Sequence, residues 1–434
     1  MENIPTASVV CSGFETVAKN ECRRLGMPEI GWVLVEYPIA GLEPTDIENK
    51  ARLAYSTIVD ILTKDRDYPK ALPQSDSPGK TKQTIRLTGD SVNEILEKLN
   101  ASFNKFRWSD GLPLVPPTVE AVNEMLSGVS LRPDHVVGLL YPNQGKATVE
   151  KIAINGVMAG CKPDYMPILV AAIKAITTRE YNQETNLLST GGFFPVVVVN
   201  GPIAKKAGIN AARNVFGPGW RANATIGRAV RLMIINIGES WPDYNDMSVM
   251  GHPGKYTCCI AENEESSPWP SLSEELGYPK GASTVTVMPG LFMGYSGTSG
   301  GSNPEDVLQP LCDQLCSTNS TSSIVPWAQT LAVLNPIHAK MLHKAGFSKQ
   351  DVKQYIFENT RHSIEKYLRM VKVAVYSPGE LAKFHKNFST WPGSTVPMHG
   401  SPDRIRVIVA GAEGTQSVFI RGFHGDMVSC EVPT

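Results

Sequence analysis

Four short stretches hold the residue types from which chemistry is built. In the first, Ala7-Ser-Val-Val-Cys11 reads as a strand, Ser12-Gly13 as a turn, and Glu15 to Leu25 as a helix closed by Gly26, with Pro28 beyond. Cys11 thus sits where a strand passes into a helix N-terminus, whose free N–H groups and partial positive charge favour a thiolate. A thiolate there is a nucleophile or a redox centre, with Ser12 beside it to hold substrate. The plain alternative is a small buried cysteine ending a core strand.

The second stretch runs from Gly251-His252-Pro-Gly254-Lys255-Tyr256 through Cys258-Cys259 to Glu262, Glu264 and Glu265. His252 is the candidate general base, Lys255 the anion clamp, and Cys259 the candidate redox partner of Cys11. A disulfide between the adjacent Cys258 and Cys259 would close a strained ring. His252, Cys259, Glu262 and Glu264 match no standard zinc spacing, so no metal is expected. A strand edge followed by a solvated acidic turn is the alternative.

The third stretch, Asn210 to Arg228, contains the tight turn Gly217-Pro-Gly219 leading into a helix. The opening N–H groups of that helix, with Arg213, Arg221 and Asn223, suit a carboxylate or phosphate; the alternative is a turn followed by a surface arginine stripe. The fourth, Gly411-Ala-Glu-Gly414-Thr415-Gln-Ser417, follows a strand, where glycine admits close backbone approach and Thr415 donates to a ligand. A structural turn is its simpler reading. No dinucleotide fingerprint, flavin-type motif or P-loop is present, so no NAD, FAD or nucleotide cofactor is expected and the cofactor stays unknown.

These loops need a scaffold. Ligands of open α/β sheets lie beyond the carboxyl ends of strands, and the pattern is one of βα units. Strands are expected at Gly31 to Glu36, Thr84 to Leu87, Pro195 to Asn200, Ser283 to Val287, Trp327 to Leu334 and Arg404 to Ala410. Helices are expected at about 46–62, 91–106, 147–159, 165–176, 222–237, 336–342 and 349–368. The expected fold class is α/β with mostly parallel sheets: a small N-terminal βαβα unit (1–66), a linker and Pro-rich connection (67–117), and a main α/β domain (118–434), divisible into lobes 118–300 and 301–434. Within 67–117, Lys64 to Lys82 reads as linker, and the prolines stiffen Trp108 to Pro117. Gly294 to Ser302 reads as a flexible loop or lid. Val199-Asn-Gly-Pro-Ile-Ala-Lys-Lys-Ala-Gly208 echoes Leu334-Asn-Pro-Ile-His-Ala-Lys-Met-Leu-His-Lys-Ala-Gly346, as two related βα units would.

Bulk properties narrow the partners. With 42% hydrophobic and 19% charged residues the chain can bury a large core. A net charge of -1 and no basic run interleaved with aromatics argue against nucleic acid and anionic membranes. No apolar run is long enough to span a bilayer, and Met1 to Phe14 lacks the pattern of a secretory signal. A cytoplasmic protein with reduced cysteines, a small-molecule substrate and room for homo-oligomerisation is the expectation.

The Val-Val-Cys11-Ser-Gly-Phe stretch, with Leu25-Gly-Met-Pro28 and Glu36-Tyr-Pro38, resembles the UGSC-like family, some of whose members carry selenocysteine in the name-giving motif. The likeness continues through Asp110 to Pro117, Asn200 to Arg228 and Gly251 to Tyr256. It implies redox or nucleophilic work at Cys11. This sequence departs from the pattern in having no second cysteine in the motif. The expected function is a cysteine-dependent enzyme on a small anionic organic molecule, oxidoreductase first. Lyase or transferase chemistry through a thio-adduct, a metal-dependent hydrolase or hydratase, and a non-catalytic binding protein stand as alternatives.

Overall fold

The computed structural model describes residues 5–27, 30–39, 42–64, 84–297, 303–317, 325–374 and 393–433. Its strands are β1 (Ser8–Cys11), β2 (Trp32–Val35), β3 (Val136–Leu140), β4 (Gly145–Thr148), β5 (Phe194–Asn200), β6 (Cys259–Ala261), β7 (Thr284–Gly290), β8 (Phe292–Gly297), β9 (Thr330–Leu334), β10 (Arg361–Ser363), β11 (Thr395–Pro397), β12 (Ile405–Val409), β13 (Gln416–Arg421) and β14 (Val428–Glu431).

Two four-stranded sheets make the main body, in the orders β14-β7-β5-β6 and β12-β9-β13-β8. The expectation of mostly parallel sheets is corrected here. Each sheet has one parallel pair, β5 with β6 and β9 with β12, and its other pairs are antiparallel. The periodicity of a strand buried on both faces is the same in either sense, so the sequence could not show the direction.

Alternation along the strands sets the layers. Val197 and Val199 of β5 pack under helices Val149–Ala159, Met166–Ile176 and Arg221–Asn236. Ala332 and Leu334 of β9 pack under helices Pro304–Ser317, Pro336–Lys344 and Lys349–Asn359. The opposite faces, with Val196 and Val198 from one sheet and Leu331 and Val333 from the other, meet in a shared core. The body is therefore a four-layer α/β/β/α sandwich.

The two halves repeat in register. Val197, three residues before Asn200, pairs with Cys259, and Ala332, three before Asn335, pairs with Val407. Val198 pairs with Thr286, and Val333 with Val418. Lys205 meets Glu265 in one half, and Lys340 meets Glu413 at 3.5 Å in the other. The Asn-Pro echo in the sequence thus marks a repeated βα unit. The fourth strand is exchanged: β8 follows β7 in the chain but completes the second sheet, and β14 follows β13 but completes the first.

The N-terminal unit has its own two-stranded parallel sheet, with Cys11 opposite Val35, and a small core of Val33, Val35 and Ala54 under helix Pro44–Thr63. In the expected connection, the helix expected at 91–106 is found as Val92–Lys105 with Ser91 as its cap, while residues 84–89 form no strand and most of Lys64 to Lys82 lies outside the described residues. The Pro-rich stretch is clasped by Arg228, which donates to both Asp110 carboxylate oxygens (2.7 and 2.9 Å) and to the carbonyls of Leu112 and Pro113. Gly294 to Gly297 are strand rather than loop. A side chain at Gly294 would lie 2.4 Å from the Phe419 ring, so glycine is what lets β8 cross it. Residues 298–302 lie outside the described residues. The helix expected to run from Lys349 to Leu368 breaks at Thr360, whose hydroxyl bonds the Ile356 carbonyl, and resumes at Ile364. No helix among the described residues is long and apolar enough to cross a membrane.

Candidate functional site

Cys11 ends β1 and stands immediately before the 3-10 turn Ser12–Phe14, which continues into helix Glu15–Arg24. Its side chain is partly exposed. Ser12 Oγ accepts from the Tyr37 amide at 3.1 Å, fastening the turn to the chain leaving β2. The helix docks on the main body through its buried residue Asn20, whose amide donates to the Tyr244 carbonyl (3.1 Å) and to Asn245 Oδ1 (3.4 Å).

The other cysteines are held back from thiolate chemistry by burial. It pushes Cys161 and Cys258 up to about 12 and Cys259 well above the ordinary thiol range. Cys22, Cys312, Cys316 and Cys430 are also raised, burial again being the main cause. Cys259 pairs with Val197 in the first sheet and packs in the core beneath helix Arg221–Asn236, whereas Cys11 belongs to a separate sheet. A redox couple between the two is not what this arrangement provides.

Asn245 leads directly into the second cluster. Asp246 is buried and accepts from Arg231 (2.7 Å) and, through both oxygens, from Lys255 (2.8 and 2.7 Å). Lys255 also donates to Ser248 Oγ, which in turn donates to the Gly191 carbonyl at 2.8 Å. Burial pushes the Asp246 carboxyl up, but the Arg231 and Lys255 cations together outweigh it and hold the group below its ordinary range. Burial likewise depresses the Lys255 ammonium, with Asp246 opposing and Arg231 adding to the effect.

His252 lies on the same loop. Its ring stacks on Phe194 at 4.1 Å, with planes 5° apart, and Nδ1 accepts from the Gly254 amide at 2.9 Å. Accepting at Nδ1 puts the proton of the neutral ring on Nε2, so His252 presents an N–H donor rather than a free base. Burial and Lys255 both keep the ring neutral by lowering its pKa. Glycines make this packing possible: a side chain at Gly192 would lie 2.4 Å from the Gly251 carbonyl, and one at Gly254 2.4 Å from Phe194.

The expected substrate-binding residues gather elsewhere. Asn223 is buried with its amide closed on one residue, accepting from Asn210 N (2.7 Å) and donating to Asn210 O (3.0 Å). Arg221 Nε donates to the Gly160 carbonyl at 3.0 Å. Arg213 is exposed, on a loop that meets the Gly414-Thr415 loop where Gly411 N donates to Ala211 O at 2.8 Å. This joins the third and fourth stretches at the carboxyl ends of the parallel strands. His252 stacks on Phe194 at the opposite end of the seven-residue β5 from Asn200, while the Asn223 carbonyl accepts from Thr257 Oγ1 at 3.1 Å, two residues beyond Lys255. No single cluster joins the four: Lys255 is held by Asp246, Asn223 by Asn210, and Arg213 stands on the loop beside Gly411.

Sequence reasoning passed over Asp246, Ser248 and Arg231. Asp246, Ser248 and Lys255 lie within ten residues, a signal that was available, while Arg231 is on the buried face of its helix and looks like a core position. Together with Lys255 and His252 they offer two cations against one carboxylate, an ordered hydroxyl and a neutral imidazole N–H. That set suits an anionic substrate. Among the described residues no group of three or more His, Cys, Asp or Glu side chains is placed to hold a metal ion.

No curated protein and no solved structure matches the chain. The model of the UGSC family matches residues 2–64, the stretch that carries Cys11 and its helix, and by that match the N-terminal unit is UGSC-like.

Proposed function

We propose that the chain is a cysteine-dependent enzyme acting on a small anionic organic molecule. Cys11 is the reacting group in this reading, and Lys255, Arg231 and the His252 N–H supply positive potential toward the substrate. The observation that carries this reading is the position of Cys11. It is partly exposed at a strand-to-helix junction in the UGSC-like unit, on a helix whose Asn20 docks against the residue next to Asp246. Oxidoreductase chemistry comes first: the substrate takes two electrons from the Cys11 sulfur, and two equivalents of a low-molecular-weight thiol, leaving as their disulfide, return the oxidised sulfur to the thiol. The external reductant is required because Cys259 is sealed in the core. That same burial favours a second reading, in which Cys11 forms a covalent thio-adduct for lyase or transferase chemistry.

The test is substitution and labelling on the whole chain. Cys11→Ser is expected to abolish turnover with unfolding behaviour unchanged, since the position is not a core one. In the native protein Cys11 is expected to alkylate well ahead of the seven other cysteines, as read by peptide mass spectrometry. Full activity in the serine variant, or a Cys11 that alkylates only after unfolding, would remove the thiol from the mechanism and favour a binding protein instead.

A further inference from the structure

A cavity opens where the two repeated halves meet. Its volume is about 670 Å³, and it is bounded by Tyr141, the segment from Thr177 to Glu184, Trp327, Arg404, and the Gly425-Asp426 turn. Its walls come from both repeated halves, at the point where the chain crosses between β13 and the exchanged strand β14. The crossing is rigid. Asp426 N donates to Glu180 O at 2.7 Å, Met427 N to Gln329 Oε1 at 2.6 Å, and a side chain at Gly425 would lie 2.1 Å from the Tyr181 carbonyl. The volume is that of a site for a small organic molecule.

The charges on its wall indicate which kind. Arg404 is satisfied by Asp426 at 2.5 Å. Arg179, Glu180 and Glu184 make no ion pair among the described residues, although Arg24 of the N-terminal helix lies near enough to Glu184 to feel its charge. One unpaired guanidinium and two unpaired carboxylates repel a simple anion and complement a molecule with one carboxylate and more than one ammonium group. Trp327, 49% exposed at the rim, offers an indole face to an alkyl chain or a cation. We propose that this cavity is a binding site for a diamino-monocarboxylic acid, with the ligand carboxylate on Arg179 and its ammonium groups on Glu180 and Glu184. The site is independent of the Cys11 reading and of the anionic substrate proposed there.

Calorimetric titration of the full chain with L-lysine, succinate and glucose separates the cases. L-Lysine is expected to bind and the other two not. Arg179→Gln, and separately Glu180→Gln with Glu184→Gln, should each weaken binding at least about tenfold, the loss of one charge-assisted hydrogen bond. These side chains are exposed, so the variants should melt with the parent, and Cys11→Ser should bind L-lysine as tightly as the parent. Preference for succinate or glucose, no binding of any probe, or L-lysine binding indifferent to both sets of variants overturns the proposal.

Discussion

Replacing Asp246 by Asn puts the second cluster under direct strain. The carboxylate lies between Arg231 and Lys255, and the exposures of the three side chains are 5%, 6% and 16%. Removing one partner from a buried pair leaves an uncompensated cation and costs about 3–5 kcal/mol. Lys255 reaches some solvent and can shed its proton, so the lower end, about 3 kcal/mol, is the expected loss. Thermal unfolding of the full chain should fall by about 3 °C. A second readout is chemical. Asp246 is what opposes the depression of the Lys255 ammonium, so its loss should make that amine acylate faster at mildly alkaline pH. The pH dependence has a definite sign. The Asp246 carboxyl titrates lower folded than unfolded, so its contribution is complete above the unfolded value and is lost as pH falls through the folded one. An Asp246→Asn protein that melts within a degree of the parent and acylates Lys255 at the parental rate would refute the cluster as described.

Three further outcomes are expected. His362 is 2% exposed with both ring nitrogens unpartnered, and burial, with Lys366 and Arg421, lowers it to about 4; stability should therefore decline as pH falls from about 6.5 to 4, by up to about 3 kcal/mol, and His362→Leu should flatten that part of the denaturation profile. Asn223→Ala should cost about 2 kcal/mol of stability in urea titration, from two buried bonds to Asn210, while leaving KM unchanged; a raised KM at parental stability would return Asn223 to the substrate. Gly192→Ala drives a methyl group into the Gly251 carbonyl and should cost about 1–3 kcal/mol and loosen the His252 ring from Phe194, seen as a change in its imidazole chemical shifts.

Local chemistry was legible where local physics decides it. Ser91, Thr118, Ser348 and Asn335 cap the helices that begin after them, and Gly160, Gly208 and Gly346 adopt positive φ at or just beyond helix ends. Cys11 and Lys255 could be picked out because a thiol before a helix and an amine beside a histidine are uncommon and reactive. What the sequence withheld is what depends on distance in space. Nothing local says that β7 lies antiparallel to β5, that Asp246 rather than a substrate faces Lys255, or that the amide of Asn223 closes on Asn210. Arg221 and Arg213 read alike as a stripe, yet one bonds the Gly160 carbonyl and the other stands on a loop at the end of the sheet.

The repeat carries one consequence for the chemistry. Because Cys259 and Val407 occupy equivalent register positions, Met250 and Met398 fall at matching places and His252 and His399 within one residue of matching, in the loops that lead into the two parallel edge strands. The second-half histidine is sealed. His399 Nε2 lies 2.7 Å from Arg421 and 2.8 Å from Thr330 Oγ1, and Nδ1 lies 3.2 Å from Thr360 Oγ1, so both ring nitrogens are engaged inside the core. The first-half histidine keeps Nε2 outside the backbone contact made by Nδ1, with Lys255 near enough for its charge to be felt. One scaffold position thus serves packing in one half and exposes a polar donor in the other. We therefore propose the half that carries Lys255, against which the UGSC-like unit docks through Asn20, as the place of the chemistry.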